Sequence, residues 1–238
     1  MASLYLVPQI EVQDAVAGGA VRVTGDEARH AISVARIRVG ERIAVGDGAG
    51  LIVQGVVSSI VPGELEVAVE RVRREERPVP ELWLAQALAK GDRDELAVQA
   101  ATELGVDEIV PWQASRSVSR WDGKADKGRE RWAAIVREAS KQAIRAWVPE
   151  VSALATTADL AALPGLVLVL EPTASGALTD VVLDAHDRIT LVVGPEGGIS
   201  PNELGRFATH ARLGPEVLRT STAGPAALAV LNARLSRW

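Results

Sequence analysis

Residues 191–204 read Leu-Val-Val-Gly-Pro-Glu-Gly-Gly-Ile-Ser-Pro-Asn-Glu-Leu. An apolar run enters a glycine-rich loop, and a helix start follows directly. Ser200 suits an N-cap, Pro201 suits the first helical position, and Glu203 completes a capping box. Glycines let the backbone approach a ligand closely, so the pattern favours a nucleotide-like ligand at the carboxyl end of a parallel strand. A tight strand-to-helix turn without a ligand is the alternative interpretation.

Common nucleotide and hydrolase motifs do not match this loop. No Gly-Lys-Ser/Thr follows it, and no G-x-G-x-x-G opens a βαβ unit, so neither a P-loop nor a dinucleotide fingerprint is present. The sequence also lacks a G-x-S-x-G nucleophile elbow. The glycines of residues 46–50 join two apolar runs, which predicts a hairpin rather than a ligand loop.

Short apolar runs recur in the second part of the chain, with helical stretches between them. Strands that are apolar on both faces and alternate with helices predict a parallel sheet covered on both sides, and hence an α/β fold. We expect a helix from about 127 to 147, stopped by Pro149, and an earlier helix opened by Asp92 with Glu95 and closed by Gly105. The apolar runs are 82–85, 109–112, 166–170 and 189–193.

The first seventy-odd residues are β-rich instead. Residues 64–70 alternate between apolar and polar side chains, which predicts a half-buried strand, and one short helix is expected from 26 to about 35. Residues 73–80 are charged, contain two prolines and show no periodicity. We therefore predict two domains, 1–74 and 80–238.

Composition excludes several kinds of site. The 238 residues contain no cysteine, which excludes disulfides, a thiolate nucleophile and a cysteine-based zinc site. The three histidines lie far apart without ligand spacing, so we expect no metal. No apolar run approaches the ~20 residues that span a bilayer, and no signal peptide is visible, so we expect a cytoplasmic protein with no membrane partner.

One basic segment stands out in a chain whose formal net charge is −5. Residues 116–145 contain nine basic and four acidic side chains, which gives this segment a local charge of +5. Arg137, Lys141 and Arg145 follow i, i+4 spacing and are expected to share one helix face. Such a stripe is usually just a solvated helix face. Beside an active site, however, it would suit a track for nucleic-acid phosphates, together with Arg116.

Two further loops follow apolar runs and resemble the first in their glycine and proline content. Residues 170–172 read Leu-Glu-Pro, and residues 213–225 place Arg219 among hydroxyl side chains. Because loops at the carboxyl ends of parallel strands lie at one edge of a sheet, we expect all three loops to form one pocket. An arginine such as Arg219 is more often a structural partner, here of Glu196 or Glu216, but its place between these loops favours a substrate or cofactor role.

The three loops together resemble a known signature. Residues 194–198, then 213–215 and 217–220, look like the motifs of the RNA methyltransferase E family, bacterial small-subunit rRNA uracil-N3 methyltransferases of the SPOUT superfamily. Residues 89–93, 102–106 and 138–142 with Arg145 are similar to that family too, and the similarity extends in order over most of 80–235. The first part more faintly resembles the family's PUA-like barrel, through His30, Arg36 and 46–48.

This resemblance implies a SPOUT domain with a parallel sheet and a deep trefoil knot, preceded by a small PUA-like RNA-binding β-barrel. It implies a homodimer that uses S-adenosylmethionine to methylate N3 of a uridine in 16S rRNA, either in free small-subunit rRNA or in the assembled subunit. The chain departs from the family at Ser221, where an acid is frequent, and in having no basic residue before Arg22. Matching positions imply that the cofactor is surrounded by Leu170, Pro172, Gly194, Gly197, Ile199, Leu213, Leu218 and Thr220.

Arg219 is our candidate catalytic residue, because a cation beside O2 or O4 would favour the uracil imide anion. No general base is evident, and water is expected to take the proton. Trp121 and Trp147 are candidates for stacking on bases, although core packing is the safer expectation for all six tryptophans. Two other functions remain open: a SPOUT ribose 2'-O-methyltransferase, and a non-catalytic RNA-binding factor in ribosome assembly.

Overall fold

A computed structural model describes residues 3–183 and 185–238. The chain divides into two compact units. The first contains the residues up to 77 together with 140–148, and the second contains 78–139 and 149–238. Residues 140–148 were expected in the second domain, but they join the first because Ala146 and its apolar neighbours pack against Leu4 and Ile52. The domain limits 1–74 and 80–238 stay a prediction.

The first unit is built on a five-stranded sheet in the order β1-β3-β4-β5-β2. Among the described strands of this sheet only β1 and β3 pair in parallel. The antiparallel pairing of β3 with β4 confirms the predicted hairpin at residues 46–50. Fully buried Val23, Val53 and Leu65 belong to its core. Its elements are β1 Leu4–Leu6, α1 Gln9–Val12, β2 Ala20–Thr24, α2 Gly25–Arg29 continued by a π-helix His30–Val34, β3 Arg42–Gly46, β4 Leu51–Val61 and β5 Glu64–Arg74.

The second unit contains a six-stranded sheet in the order β11-β9-β10-β6-β7-β8, with every pairing parallel. This confirms the parallel sheet predicted from the apolar runs. The central strands are buried on both faces, as at Leu84 and Leu191. The elements are β6 Glu81–Ala87, α3 Arg93–Glu103, β7 Glu108–Trp112, α4 Ala125–Gln142, β8 Glu150–Val151, α5 Thr157–Ala161, β9 Leu166–Leu170, a 3-10 turn Leu178–Asp180, β10 Arg188–Val193, α6 Pro201–Leu204, β11 Thr209–Ala211 and α7 Thr220–Arg234.

One predicted helix end and one predicted capping box were wrong. Helix α4 ends at Gln142 rather than at 147, because Ile144 adopts a left-handed φ of 53° and the Arg145 N–H turns back to the Ser140 carbonyl. Asp92 has a left-handed φ of 58° and makes no side-chain cap, so the expected capping box does not form at α3. A left-handed φ of 88° at Gly105 does terminate that helix as predicted.

The start of α6 confirms the pattern that decided the fold. The Ser200 side chain caps the N–H of Glu203, and the Glu203 carboxylate reaches back to the N–H of Ser200. The loop before α6 is therefore fixed at both ends, by strand β10 at its start and by the capping box at its end. Within the described residues no helix is long and apolar enough to cross a bilayer.

Candidate active site

A cavity of about 420 Å³ opens at the carboxyl ends of β9, β10 and β11. These strands are neighbours in the sheet, so the loops that follow them meet at one edge. The cavity wall includes Arg219 together with seven of the eight residues predicted to surround the cofactor, namely Leu170, Pro172, Gly194, Ile199, Leu213, Leu218 and Thr220.

Gly197 is the predicted cofactor residue that does not line the cavity. Its carbonyl oxygen accepts a hydrogen bond from the Arg116 guanidinium at 3.2 Å. A β-carbon added at Gly197 would meet the Cβ and the carbonyl oxygen of Arg116, each at 3.2 Å. This glycine therefore permits close packing against the loop after β7, while Gly198, with a left-handed φ of 70°, contributes to the cavity wall.

A hydrogen-bond chain fixes the loop after β10 to the start of α7. The Thr220 hydroxyl donates to the Gly194 carbonyl oxygen at 2.9 Å. The same hydroxyl oxygen accepts a bond from the Gln86 side-chain amide, also at 2.9 Å. Gln86 is fully buried at the end of β6. The sequence analysis missed Gln86, because a lone glutamine in an apolar strand carries no motif.

Glu196 holds the same loop through a second set of hydrogen bonds. Its carboxylate accepts hydrogen bonds from the Lys90 N–H and the Arg93 guanidinium, both at 3.1 Å. Burial alone would raise the pKa of Glu196, but hydrogen bonds from its own backbone N–H, from Lys90 and from Arg93 lower the pKa below its ordinary value. Glu196 therefore stays ionised, and it is bonded to the first residue of α3 and to the segment before that helix.

Arg219 is the N-cap residue of α7 and lies in the cavity wall. In the described part of the chain its guanidinium has no hydrogen bond and no ion pair with another residue. Pairing with Glu196 or Glu216, which was the structural alternative, is therefore not found within the chain. The side chain is exposed and its charge is available to a ligand.

Glu203 has a second role that the sequence analysis did not foresee. Its buried carboxylate accepts hydrogen bonds from the Ser115 N–H at 2.8 Å, the Ser115 hydroxyl at 2.6 Å and the Thr157 hydroxyl at 3.0 Å, besides those from Ser200. Burial raises its pKa, but the bonds from Ser115 and Ser200 outweigh it and lower the pKa to about 2. Three separate segments thus meet on one carboxylate.

The predicted RNA-contacting residues are not one helix stripe. Arg116 lies in the loop after β7, Arg137 is exposed on α4, and Arg145 lies beyond the end of that helix. The Lys141 side chain is only 9% exposed, and its ammonium lies 3.4 Å from the Glu27 carboxylate. Lys141 is therefore held within the first unit, whereas Arg116 presents its charge at the surface.

Three of the six tryptophans, Trp112, Trp121 and Trp132, are buried as expected, whereas Trp238 is 69% exposed. Trp121 is buried and contacts Trp132 edge to face, with ring centroids 5.0 Å apart. Trp112 is also fully buried. The Arg77 guanidinium lies over the Trp147 ring at 4.5 Å. Stacking of Trp121 on an RNA base was therefore a wrong expectation, since its ring is enclosed by protein.

Comparison with known proteins places the chain in a family. Residues 75–232 match the model of an RNA methyltransferase domain, and residues 23–70 match that of an RNA methyltransferase PUA domain. A Mycobacterium bovis relative named ribosomal RNA small subunit methyltransferase E is 43% identical over 234 residues, which cover 93% of this chain and 89% of that protein. This chain belongs to the ribosomal RNA small subunit methyltransferase E family.

Other members of the methyltransferase E family agree with this assignment. The Bacillus subtilis member is 31% identical, with 88% of each chain covered. The crystal structure of the Neisseria gonorrhoeae member, bound to S-adenosylmethionine, is 27% identical, covers 98% of both chains and superposes with a TM-score of 0.85. The expected order, a PUA domain followed by an RNA methyltransferase domain with a parallel sheet, is confirmed. The SPOUT assignment and the deep trefoil knot stay predictions.

The donors and apolar surfaces of the cavity suit a nucleoside-like cofactor. Leu170 and Ile199 supply apolar wall, against which a flat ring can pack. Among residues 3–183 and 185–238, the backbone N–H groups of Leu213, Gly214 and Leu218 have no acceptor in the chain. Donors left free in a cavity wall fit the polar edge of an adenosine. The apolar wall and the free N–H donors of this cavity therefore suit S-adenosylmethionine.

Proposed function

We propose that this chain transfers the methyl group of S-adenosylmethionine to N3 of a uracil in small-subunit rRNA, at the family position U1498. The observation that carries the proposal is the cavity in which three strand-end loops meet, with the unpaired Arg219 guanidinium in its wall. The methyltransferase E relatives and the cofactor-bound neighbour support it.

The bound cofactor supplies an electrophilic methyl group, and most of the catalysis is positioning. Thr220 and Gln86 hold the Gly194 end of the loop, and Glu196 holds its middle, so that the wall is already formed before a ligand enters. A preformed wall lowers the entropic cost of aligning the uracil N3 with the methyl group.

Arg219 is the residue that we assign to the reaction. Loss of the N3 proton leaves negative charge on N3 and on the two uracil carbonyl oxygens. The Arg219 guanidinium is assigned to donate to one of these oxygens, which stabilises the anion and leaves N3 open to the methyl group.

We assign the proton to water. Of the carboxylates that line the cavity, Glu196 is engaged with Lys90 and Arg93, and Glu171 accepts hydrogen bonds from Thr173. The buried Glu203 carboxylate is engaged in five hydrogen bonds, so it is not available as a base.

We also propose a homodimer in the cytoplasm, where ribosomal RNA is the substrate as free small-subunit rRNA or in the assembled subunit. Val217 and Leu218, beside the cavity, are 76% and 39% exposed. Apolar side chains at the edge of a site favour burial by a second subunit. Light scattering on the purified protein tests the assembly, and a monomeric mass at micromolar concentration would contradict it.

Mapping the methylated atom tests the reaction itself. Small subunits that lack the modification are incubated with the protein and S-adenosylmethionine, and the digested rRNA is analysed by mass spectrometry. We expect one methyl group on a uracil base. A methyl group on ribose would support a 2'-O-methyltransferase. Absence of transfer together with absence of cofactor binding by calorimetry would support a non-catalytic assembly factor.

A further inference from the structure

Two loops of the second unit are joined at a place outside the cavity. The first is the segment after β7 that contains Ser115 and Arg116, and the second is the cofactor loop, which we define as residues 194–200. The Arg116 guanidinium donates to the Gly197 carbonyl oxygen at 3.2 Å, and Glu203 binds Ser115 and Ser200 with one carboxylate. The two loops are thus tied at neighbouring positions.

We propose that Arg116 and Glu203 couple cofactor binding to RNA binding through these ties. Both act as positioning residues: Arg116 lies at the surface, and Glu203 lies in the interior. The inference rests on the proposed function, because it takes the small-subunit rRNA as the second ligand. Nothing in the coupling requires direct contact between Arg116 and the cofactor.

Arg116 is suited to connect the two ligands. A guanidinium has five N–H donors, and the described structure uses one of them, for Gly197. The remaining donors are at an exposed position and suit an RNA phosphate. A phosphate bound there would fix the side chain and, with it, the Gly197 carbonyl.

Restriction of the cofactor loop is the step that reaches the cavity. Gly198 and Ile199 follow Gly197 directly and form part of the cavity wall. Both ligands need the same segment to be ordered. The first ligand to bind loses the conformational entropy of that segment, so the second ligand binds more tightly, which is positive cooperativity. Linkage makes the effect reciprocal, so the cofactor must strengthen RNA binding by the same factor.

Glu203 keeps the tie rigid. Its carboxylate is buried and accepts bonds from three segments, the last of them through Thr157 in α5. The low pKa of Glu203, about 2, means that this network stays ionised throughout the physiological range. Without the Glu203 network the two loops could shift relative to each other, and a change in the position of Arg116 would then leave Ile199 unchanged.

The test measures how strongly the protein binds small ribosomal subunits with and without saturating S-adenosylhomocysteine, which cannot donate a methyl group. For the wild-type protein we expect the affinity to rise at least about fivefold with the nucleoside. We expect the ratio to fall close to one for Arg116→Ala and for Glu203→Gln. Arg120→Ala is the matched control, because Arg120 pairs with Asp122 and, among the described residues, has no hydrogen bond or ion pair with the cofactor loop.

The outcomes separate this coupling from the proposed function. A wild-type ratio near one, or a preserved ratio in both variants, would overturn the coupling even if the methyl group is found on uracil N3. Arg116 lies at the surface, so its variant remains informative if Glu203→Gln is poorly folded. Failure of the wild-type protein to bind subunits at all would overturn the proposed function and the coupling together.

Discussion

The Thr220 hydroxyl donates a hydrogen bond to the Gly194 carbonyl oxygen across 26 positions of sequence, at a distance of 2.9 Å. This bond joins the first turn of α7 to the loop after β10, and both segments line the cavity. It also fixes the residue next to Arg219. The geometry of the cavity therefore depends on a contact between two loops that are remote in the chain.

Thr220→Val removes this bond while it preserves the shape of the side chain. The half-buried Gly194 carbonyl and the fully buried Gln86 amide each lose a partner, and such losses typically cost about 1–3 kcal/mol. We expect calorimetry to show cofactor affinity weakened by roughly tenfold, and Thr220→Ser to retain most of it. Unchanged affinity in Thr220→Val would mean that the bond does not shape the cavity.

Gly194→Ala is expected to distort the cavity wall from within. A β-carbon at this position would lie 2.6 Å from Cγ1 of Ile199, which must then move. We expect a loss of cofactor affinity of roughly tenfold, because overpacking forces neighbouring side chains from their rotamers. The control is Gly205→Ala, whose β-carbon would meet only the Pro201 carbonyl, at 3.4 Å. Equal affinities for the two variants would contradict the prediction.

Arg219→Ala is expected to lower the single-turnover rate on small subunits by about a hundredfold or more, as loss of a transition-state donor does elsewhere. Cofactor affinity is expected to change much less. Arg219→Lys is expected to recover part of the rate, since a point charge replaces the planar donor pair. A near-normal rate for Arg219→Ala at saturating cofactor and RNA would exclude the catalytic role.

Salt dependence distinguishes the surface charge of Arg116 from the buried charge of Lys141. Each lost phosphate contact lowers the slope of log affinity against log salt by about 0.7 to 0.9. We expect Arg116→Ala to show this decrease in RNA filter binding. Lys141→Ala is expected to leave the slope unchanged and to lower the melting temperature, because Lys141 is paired with Glu27. A reduced slope for Lys141→Ala would show that RNA displaces that pair.

The dependence of thermal stability on pH tests whether the Glu203 carboxylate is ionised in its hydrogen-bond network. The folded-state pKa of Glu203 is lowered from 4.5 to about 2, so its contribution to stability is present above pH 4.5 and is lost as the pH falls towards 2. Glu203→Gln is therefore expected to melt below the wild-type protein at pH 7, and the difference should shrink between pH 4.5 and 2. Glu130→Gln, at an exposed position on α4, is the control. A difference that does not depend on pH would argue against an ionised network.

Several features follow from the sequence alone because their causes are local. The capping box of Ser200 and Glu203, the left-handed Gly105 and the hairpin at 46–50 depend on residues a few positions apart. The apolar runs also predict a parallel sheet, since a strand buried on both faces needs apolar side chains throughout. The three strand-end loops could be predicted to meet for the same topological reason.

Only the tertiary structure decided which partner each polar group finds. Glu196 pairs with Arg93, Lys141 pairs with Glu27, and Gly197 packs against Arg116 rather than facing the cavity. Helix α4 ends early because residues beyond it have apolar partners in the first unit, which no periodicity within the helix can reveal. A sequence pattern records burial and local dihedral preference, whereas hydrogen bonds between distant segments depend on chain packing that is set by the whole fold.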